Sequence, residues 1–126
     1  MRAILLVDHG SRVTAANAQL EEMARLVEAV AGDGTIVRAA HMELAAPGIP
    51  EAIDALFAEG ATELVVVPYF LAPGRHASED VPRIAHQAAA RHPALRLRVA
   101  EPLGVHELLA KLVLLRAEPA RCTPAQ

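Results

Sequence analysis

Two apolar rhythms alternate along the chain. Short continuous runs, "AILLV" at 3–7 and "ELVVVP" at 63–68, separate longer stretches where apolar residues return every three or four positions. A short continuous run reads as a strand buried on both faces, and the longer spacing reads as a helix with one buried stripe. Leu20, Met23, Val27, Val30 and Ala31 form the first stripe, which Gly32 and Gly34 end. "TIVRAA" at 35–40 is the second strand. Ile53, Leu56 and Phe57 mark a second helix, with Pro50 at its start and Gly60 at its close.

Val81, Ile84, Ala85 and Ala88 predict a third helix, with Ser78 as its N-cap and Glu79 and Asp80 in its first turn. His92-Pro93 ends it. "LRLRV" at 95–99 alternates strictly, the pattern of a half-exposed strand at a sheet edge. Val105, Leu108, Leu109, Leu112 and Val113 predict a last amphipathic helix.

Four strands alternating with four helices imply a parallel sheet covered on both faces. Right-handed crossovers make it a three-layer, doubly wound α/β fold with a four-stranded sheet. The 126 residues fit one domain. Its expected extent is 1–117, followed by a frayed tail at 118–126.

Composition narrows the classes. Hydrophobic residues make up 53% but aromatics only 2%, so the core is built from Leu, Val, Ile and Ala. The formal charge of −3 offers no basic field for nucleic acid. Phe57, Tyr69 and Phe70 are too few for a base-stacking surface. Cys122 is the single cysteine, which excludes an intrachain disulfide or a Cys-ligated cluster. The opening apolar run is too short for a signal segment or a membrane span. The expectation is a soluble cytoplasmic protein without a membrane partner.

In open α/β sheets, ligands bind outside the carboxyl ends of the strands. The segments after the four strands carry the unusual residues: "DHGSR" (8–12), "HMELAAPG" (41–48), "YFLAPGRH" (69–76) and "EPLG" (101–104). His9, Glu43 and His76 are spaced by 34 and then 33 residues. A βαβ unit takes about 30 residues or more, so the three occupy equivalent strand ends. Two imidazoles and a carboxylate suit a borderline divalent metal. The same residues also read as ordinary polar loop groups, Ser11 as a turn hydroxyl, His41 as a structural or supporting residue, and Arg12 and Arg75 as solvated charges.

The blocks "LLVDHGSR…AN", "HMELAAPGIPEAI", "VVVPYFLAPGRHASEDVPRIA" and "AEPLGVHELL" together resemble the small sirohydrochlorin chelatases, the class II chelatases of the CbiX and SirB type. The resemblance runs over residues 4–115. It implies a chelatase-like fold and a lyase that inserts Fe²⁺, Co²⁺ or Ni²⁺ into sirohydrochlorin, for siroheme, cobalamin or a nickel tetrapyrrole. The metal is then a substrate, and no tightly bound cofactor is expected. By the same resemblance His9, His76 and Glu43 are the catalytic and metal-site residues. The substrate segment maps onto Leu71, Ala72, Pro73, Gly74 and Arg75, near Tyr69, Phe70, Ser11 and Arg12. Tyr69, Phe70 and Leu71 offer apolar contact to a macrocycle, and Arg12 and Arg75 offer forks for its rim carboxylates.

Three departures from the family pattern stand out. Ala46 lies before the motif proline, where some members carry an acid. Asp8 stands where many members have Gly, and Cys122 alone cannot reproduce the C-terminal cysteine cluster of plant-type relatives. One copy of the pattern matches the short form that pairs as a homodimer.

Two other enzyme or cofactor classes fit poorly. A histidine-phosphatase loop wants an arginine immediately before the histidine, and Asp8 would repel its anion. A flavin-mononucleotide module wants a Ser/Thr-rich phosphate cradle that the first loop lacks. A non-catalytic metal-binding or tetrapyrrole-binding protein remains the alternative to the enzyme.

Overall fold

The structure is a computed structural model that describes residues 1–72 and 74–118; the side chains of residues 76 and 77 also fall outside the described set. The chain runs β1 (Arg2–Asp8), α1 (Thr14–Ala31), β2 (Ile36–His41), α2 (Ile49–Ala58), β3 (Glu63–Pro68), a π-helical turn (His76–Asp80), α3 (Val81–Ala89), β4 (Arg96–Val99) and α4 (Glu107–Ala117). All pairings are parallel, in the order β2-β1-β3-β4. No helix among the described residues is long and apolar enough to cross a membrane.

Alternation along the central strands feeds two cores. Ala3, Leu5 and Val7 of β1, with Leu64 and Val66 of β3, pack against Ile53 and Leu56 of α2 and Val81, Ala85 and Ala88 of α3. Leu6 of β1, with Val37 and Ala39 of β2, packs on the other face against Leu20 and Ala24 of α1. The larger of these side chains are essentially solvent-free, and each contributes about 1.5–3 kcal/mol relative to exposure. The three-layer, doubly wound expectation therefore holds.

Local signals placed most boundaries well. Gly32 caps α1 in the left-handed region (φ 63°), where a side chain is strained. Pro50 lies in the first turn of α2, where its missing N–H costs nothing. β3 covers the residues its apolar run marks, and β4 lies at the sheet edge with alternate residues exposed. At the end of α3, Arg91 and His92 both bond Asp54 of α2 at 2.7 Å, and the His92 ring stacks on Phe57. The His92 bond first, then Arg91, holds the Asp54 carboxyl below its ordinary range.

Two expectations fail. Ser78 does not cap α3: it sits inside the π-helical turn, its hydroxyl donates to the Gly74 carbonyl at 2.9 Å, and α3 starts at Val81. A hydroxyl with a carbonyl within reach is drawn back along the chain rather than to the helix start. Nor does α4 bury an amphipathic stripe. None of its residues is fully buried, and Leu108, Val113, Leu114 and Leu115 are 63–69% exposed. Leu114 and Leu115 complete an apolar girdle around the helix, so no single face points inward.

Candidate functional site

The sheet order creates a topological switch point. From β1 the chain leaves through α1 on one face towards β2; from β2 it returns through α2 on the other face to β3, on the far side of β1. Segments leaving β1 and β3 therefore diverge above the sheet and open a crevice between them. His9 follows β1, Glu43 follows β2, and the stretch from Tyr69 to the π-helical turn follows β3.

The loops after β1 and β2 are laced together. Residues Asp8 and His41 are register partners across the two strands. The ladder continues past them, with the Met42 N–H donating to the Asp8 carbonyl at 2.9 Å and the Glu43 N–H to the His9 carbonyl at 3.1 Å. That last bond ties the backbones of two exposed residues, His9 and Glu43, together. Gly10 permits the approach. Its φ is +89°, and a Cβ there would lie 1.8 Å from the Glu43 carbonyl oxygen.

Beneath this junction His41 is fully buried, and its Nδ1 meets Asp8 Oδ1 at 2.6 Å. The same Asp8 oxygen accepts the Gly10 N–H at 3.0 Å. Farther round the loop, Ser11 Oγ accepts the Val13 N–H, the turn role expected of it. Asn17 clips the loop from α1, accepting the Ser11 N–H at 2.8 Å and donating to the Ser11 carbonyl at 2.7 Å. Arg12 is exposed.

On the β3 side, Phe70 sets its ring against His9, centroid to centroid 4.7 Å at 56°. Tyr69 is half-buried against the α1-side core, while Leu71, Ala72 and Gly74 are exposed. Arg75 is 81% exposed and pairs with Glu79 at 3.5 Å. The structure thus sets the Phe70 ring against His9 and bonds the His9 and Glu43 backbones. Pro73 and the His76 side chain lie outside the described residues, and among those described no three ligand-type side chains form a metal cluster.

A cavity of about 900 Å³ opens on the α1 side of the switch point. Its walls are Asp8 and Tyr69 at the strand ends, Leu20, Met23 and Leu26 among others on α1, and Leu112 and Arg116 on α4. Its size is that of a pocket for a large ligand. Of the sequence-predicted site residues, Tyr69 lines it and His9 and Glu43 do not. Sequence reasoning missed the Asp8–His41 contact and the Asn17 clip. The first had a signal: the two residues lie 33 apart, the same crossover period that relates Glu43 to His76.

The sequence model of the CbiX family matches residues 3–120. The chain is 41% identical to the chloroplastic sirohydrochlorin ferrochelatase of Arabidopsis thaliana over 87% of its own length and 48% of the relative's. It is 34% identical to the sirohydrochlorin cobaltochelatase of Methanosarcina barkeri over 93% of its own length and 95% of the relative's. Among solved structures it is similar to the cobalt complex of the sirohydrochlorin chelatase SirB from Bacillus subtilis subspecies spizizenii, with a TM-score of 0.78 and 36% identity over 94% of this chain and 50% of that one. The chain therefore spans about half the length of the plant and Bacillus proteins and nearly all of the archaeal one.

Proposed function

The chain belongs to the CbiX family of class II chelatases, and on that premise we propose that it inserts a divalent metal, Fe²⁺ or Co²⁺ with Ni²⁺ as a third candidate, into sirohydrochlorin in the cytoplasm. The observation that supports this reading is the Glu43 N–H to His9 carbonyl bond, which ties together, at the switch point, the two loops that carry the imidazole and the carboxylate. Insertion replaces the two pyrrole N–H protons with the metal, and the protons must leave as the metal sheds water. An imidazole serves near neutral pH as ligand or base, and Glu43 beside it holds the ion or takes a proton. The Phe70 ring restricts the His9 imidazole from one side. His76, two βαβ crossovers on from His9, supplies the second imidazole.

The macrocycle meets the segment after β3. Tyr69, Phe70 and Leu71 supply apolar surface, and Ala72, Pro73, Gly74 and Ser11 contact the substrate on the family resemblance. Arg12 and Arg75 pair with rim carboxylates. Among the described residues Arg75 makes a long, solvated pair with Glu79, which is worth little in water. Arg75→Ala is expected to raise the KM for sirohydrochlorin by one to two orders of magnitude, from about 1.5–3 kcal/mol of charge-assisted bonding. Arg75→Lys should recover part of it, because an ammonium lacks the planar fork. Steady-state kinetics at fixed ionic strength checks this, and an unchanged KM in the alanine variant returns Arg75 to the solvent.

A second copy of the chain covers α4. α4 exposes Leu108, Val113, Leu114 and Leu115, apolar surface that water disfavours, and Leu26 and Val30 of α1 add to it. Light scattering at micromolar concentration is expected to give twice the chain mass; a monomer mass would refute the pairing.

The function itself is tested anaerobically, with sirohydrochlorin and each metal in turn, by following the change in the macrocycle's absorption. Many turnovers per protein above the spontaneous rate are expected. A change that stops at one equivalent would instead identify a binding protein.

A further inference from the structure

We propose that Asp8 and His41 form a positioning clasp that holds the loop carrying His9 against the loop carrying Glu43, and so sets the geometry of the metal-handling pair. The inference rests on the chelatase reading for its consequence but on separate contacts for its existence. Asp8 ends β1 and His41 ends β2, directly opposite in the parallel register. Residues one and two positions beyond them make the bonds that seat His9 beside Glu43.

Asp8 Oδ1 gathers two donors from two loops, the Gly10 N–H at 3.0 Å and the His41 ring at 2.6 Å. A carboxylate can only accept, so Nδ1 carries the hydrogen and the imidazole orientation is set. The His41 backbone N–H donates to the Pro47 carbonyl at 2.9 Å, so the same residue also anchors the far end of the β2–α2 loop. Its Cβ lies 3.2 Å from where a Gly10 Cβ would stand, so His41 packs directly beneath the Gly10 turn.

The other ring nitrogen argues for a role beyond stability. His41 Nε2 is buried and has no partner among the described residues. A buried polar atom without a partner destabilises the fold. A leucine would fill the same space without that burden. A histidine there makes sense when its other nitrogen holds something in place, here the Asp8 carboxylate and through it the Gly10 turn. Groups that orient metal ligands from behind change metal affinity or activity by about 10–100-fold when lost.

The test compares wild type with His41→Leu, Asp8→Ala and Asp8→Asn. Thermal melting is measured first, then Co²⁺ titration followed by its visible absorption without tetrapyrrole, then kcat and KM. His41→Leu is expected to melt at or above the wild-type temperature while binding Co²⁺ about 10–100-fold more weakly and losing kcat by a similar factor. KM for sirohydrochlorin should stay within about two-fold in this variant, because His41 is fully buried and out of reach of a macrocycle. Asp8→Asn keeps an oxygen for both donors and should stay near wild type, whereas Asp8→Ala should follow His41→Leu in Co²⁺ affinity and kcat but melt below wild type, because it leaves the buried His41 Nδ1–H without its acceptor.

Wild-type Co²⁺ affinity in His41→Leu, or an asparagine as damaging as alanine, overturns the clasp. If wild type neither binds Co²⁺ nor turns over, the chelatase reading fails separately. Amide hydrogen exchange then decides the clasp alone. Faster exchange of the Glu43 N–H in Asp8→Ala and His41→Leu supports it, and unchanged exchange overturns it.

Discussion

His9→Ala is expected to abolish most metal insertion and leave the fold standing. The side chain is exposed at a strand end, so truncation opens no core cavity. The bonds at this position that hold the loop are backbone: the His9 carbonyl accepts from Glu43, and the Asp8 carbonyl accepts from Met42. Alanine keeps both bonds. The ring contact with Phe70 is lost, but Phe70 remains packed against the α2- and α3-side core. The chemistry has no such redundancy. Removing a positioned ligand or base costs about 10²–10⁴ in rate. Anaerobic turnover measured alongside a circular-dichroism melt separates the two effects. His76→Ala should behave alike, on the resemblance of the segment after β3 to the family motif. Near wild-type insertion in either variant would displace the assignment of that histidine.

Gly10→Ala is expected to damage stability and activity together, the opposite signature. Two penalties coincide at this residue. At φ +89° a β-carbon is strained by about 1–2 kcal/mol. That carbon would also stand 1.8 Å from the Glu43 oxygen and 3.0 Å from the Glu43 carbonyl carbon. Both are backbone atoms, so no rotamer change relieves the clash and the two loops must part. The bond from the Glu43 N–H to His9 goes with them. A total loss of about 3 kcal/mol or more is expected, in the range of severe single substitutions. Gly60 is the control, with φ +105° and nothing within 4 Å of a Cβ, so Gly60→Ala should show the strain alone. Urea unfolding of both variants decides it. Equal midpoints would mean that the close approach to Glu43 contributes nothing.

Much of this molecule is written locally. The extent of β3, the Gly32 cap, Pro50 in the first turn of α2 and the edge position of β4 all follow from residues within a few positions of each other. Apolar period, turn chemistry and missing donors act over that range, so the sequence carries them openly. The 34- and 33-residue spacing likewise reads as strand-end placement, because each crossover repeats one geometry. That reasoning reached the loops that hold the proposed site.

Contacts across loops were not legible in the same way. That His9 is bonded to Glu43, that Gly10 leaves room for Glu43, and that Asp8 closes on a buried His41 all depend on β2 lying beside β1 in one register. A shift of one residue would have turned Asp8 and His41 to opposite faces. Ser78 likewise took the Gly74 carbonyl in a π-helical turn that no local propensity announces. For α4 the apolar spacing was real, but burial requires a surface to pack against, and the sheet and α1 cover little of it. Sequence determined which residues stand at the strand ends. Only the tertiary structure decided which of them meet, because neighbours in space are chosen by strand order and register, and periodicity contains neither.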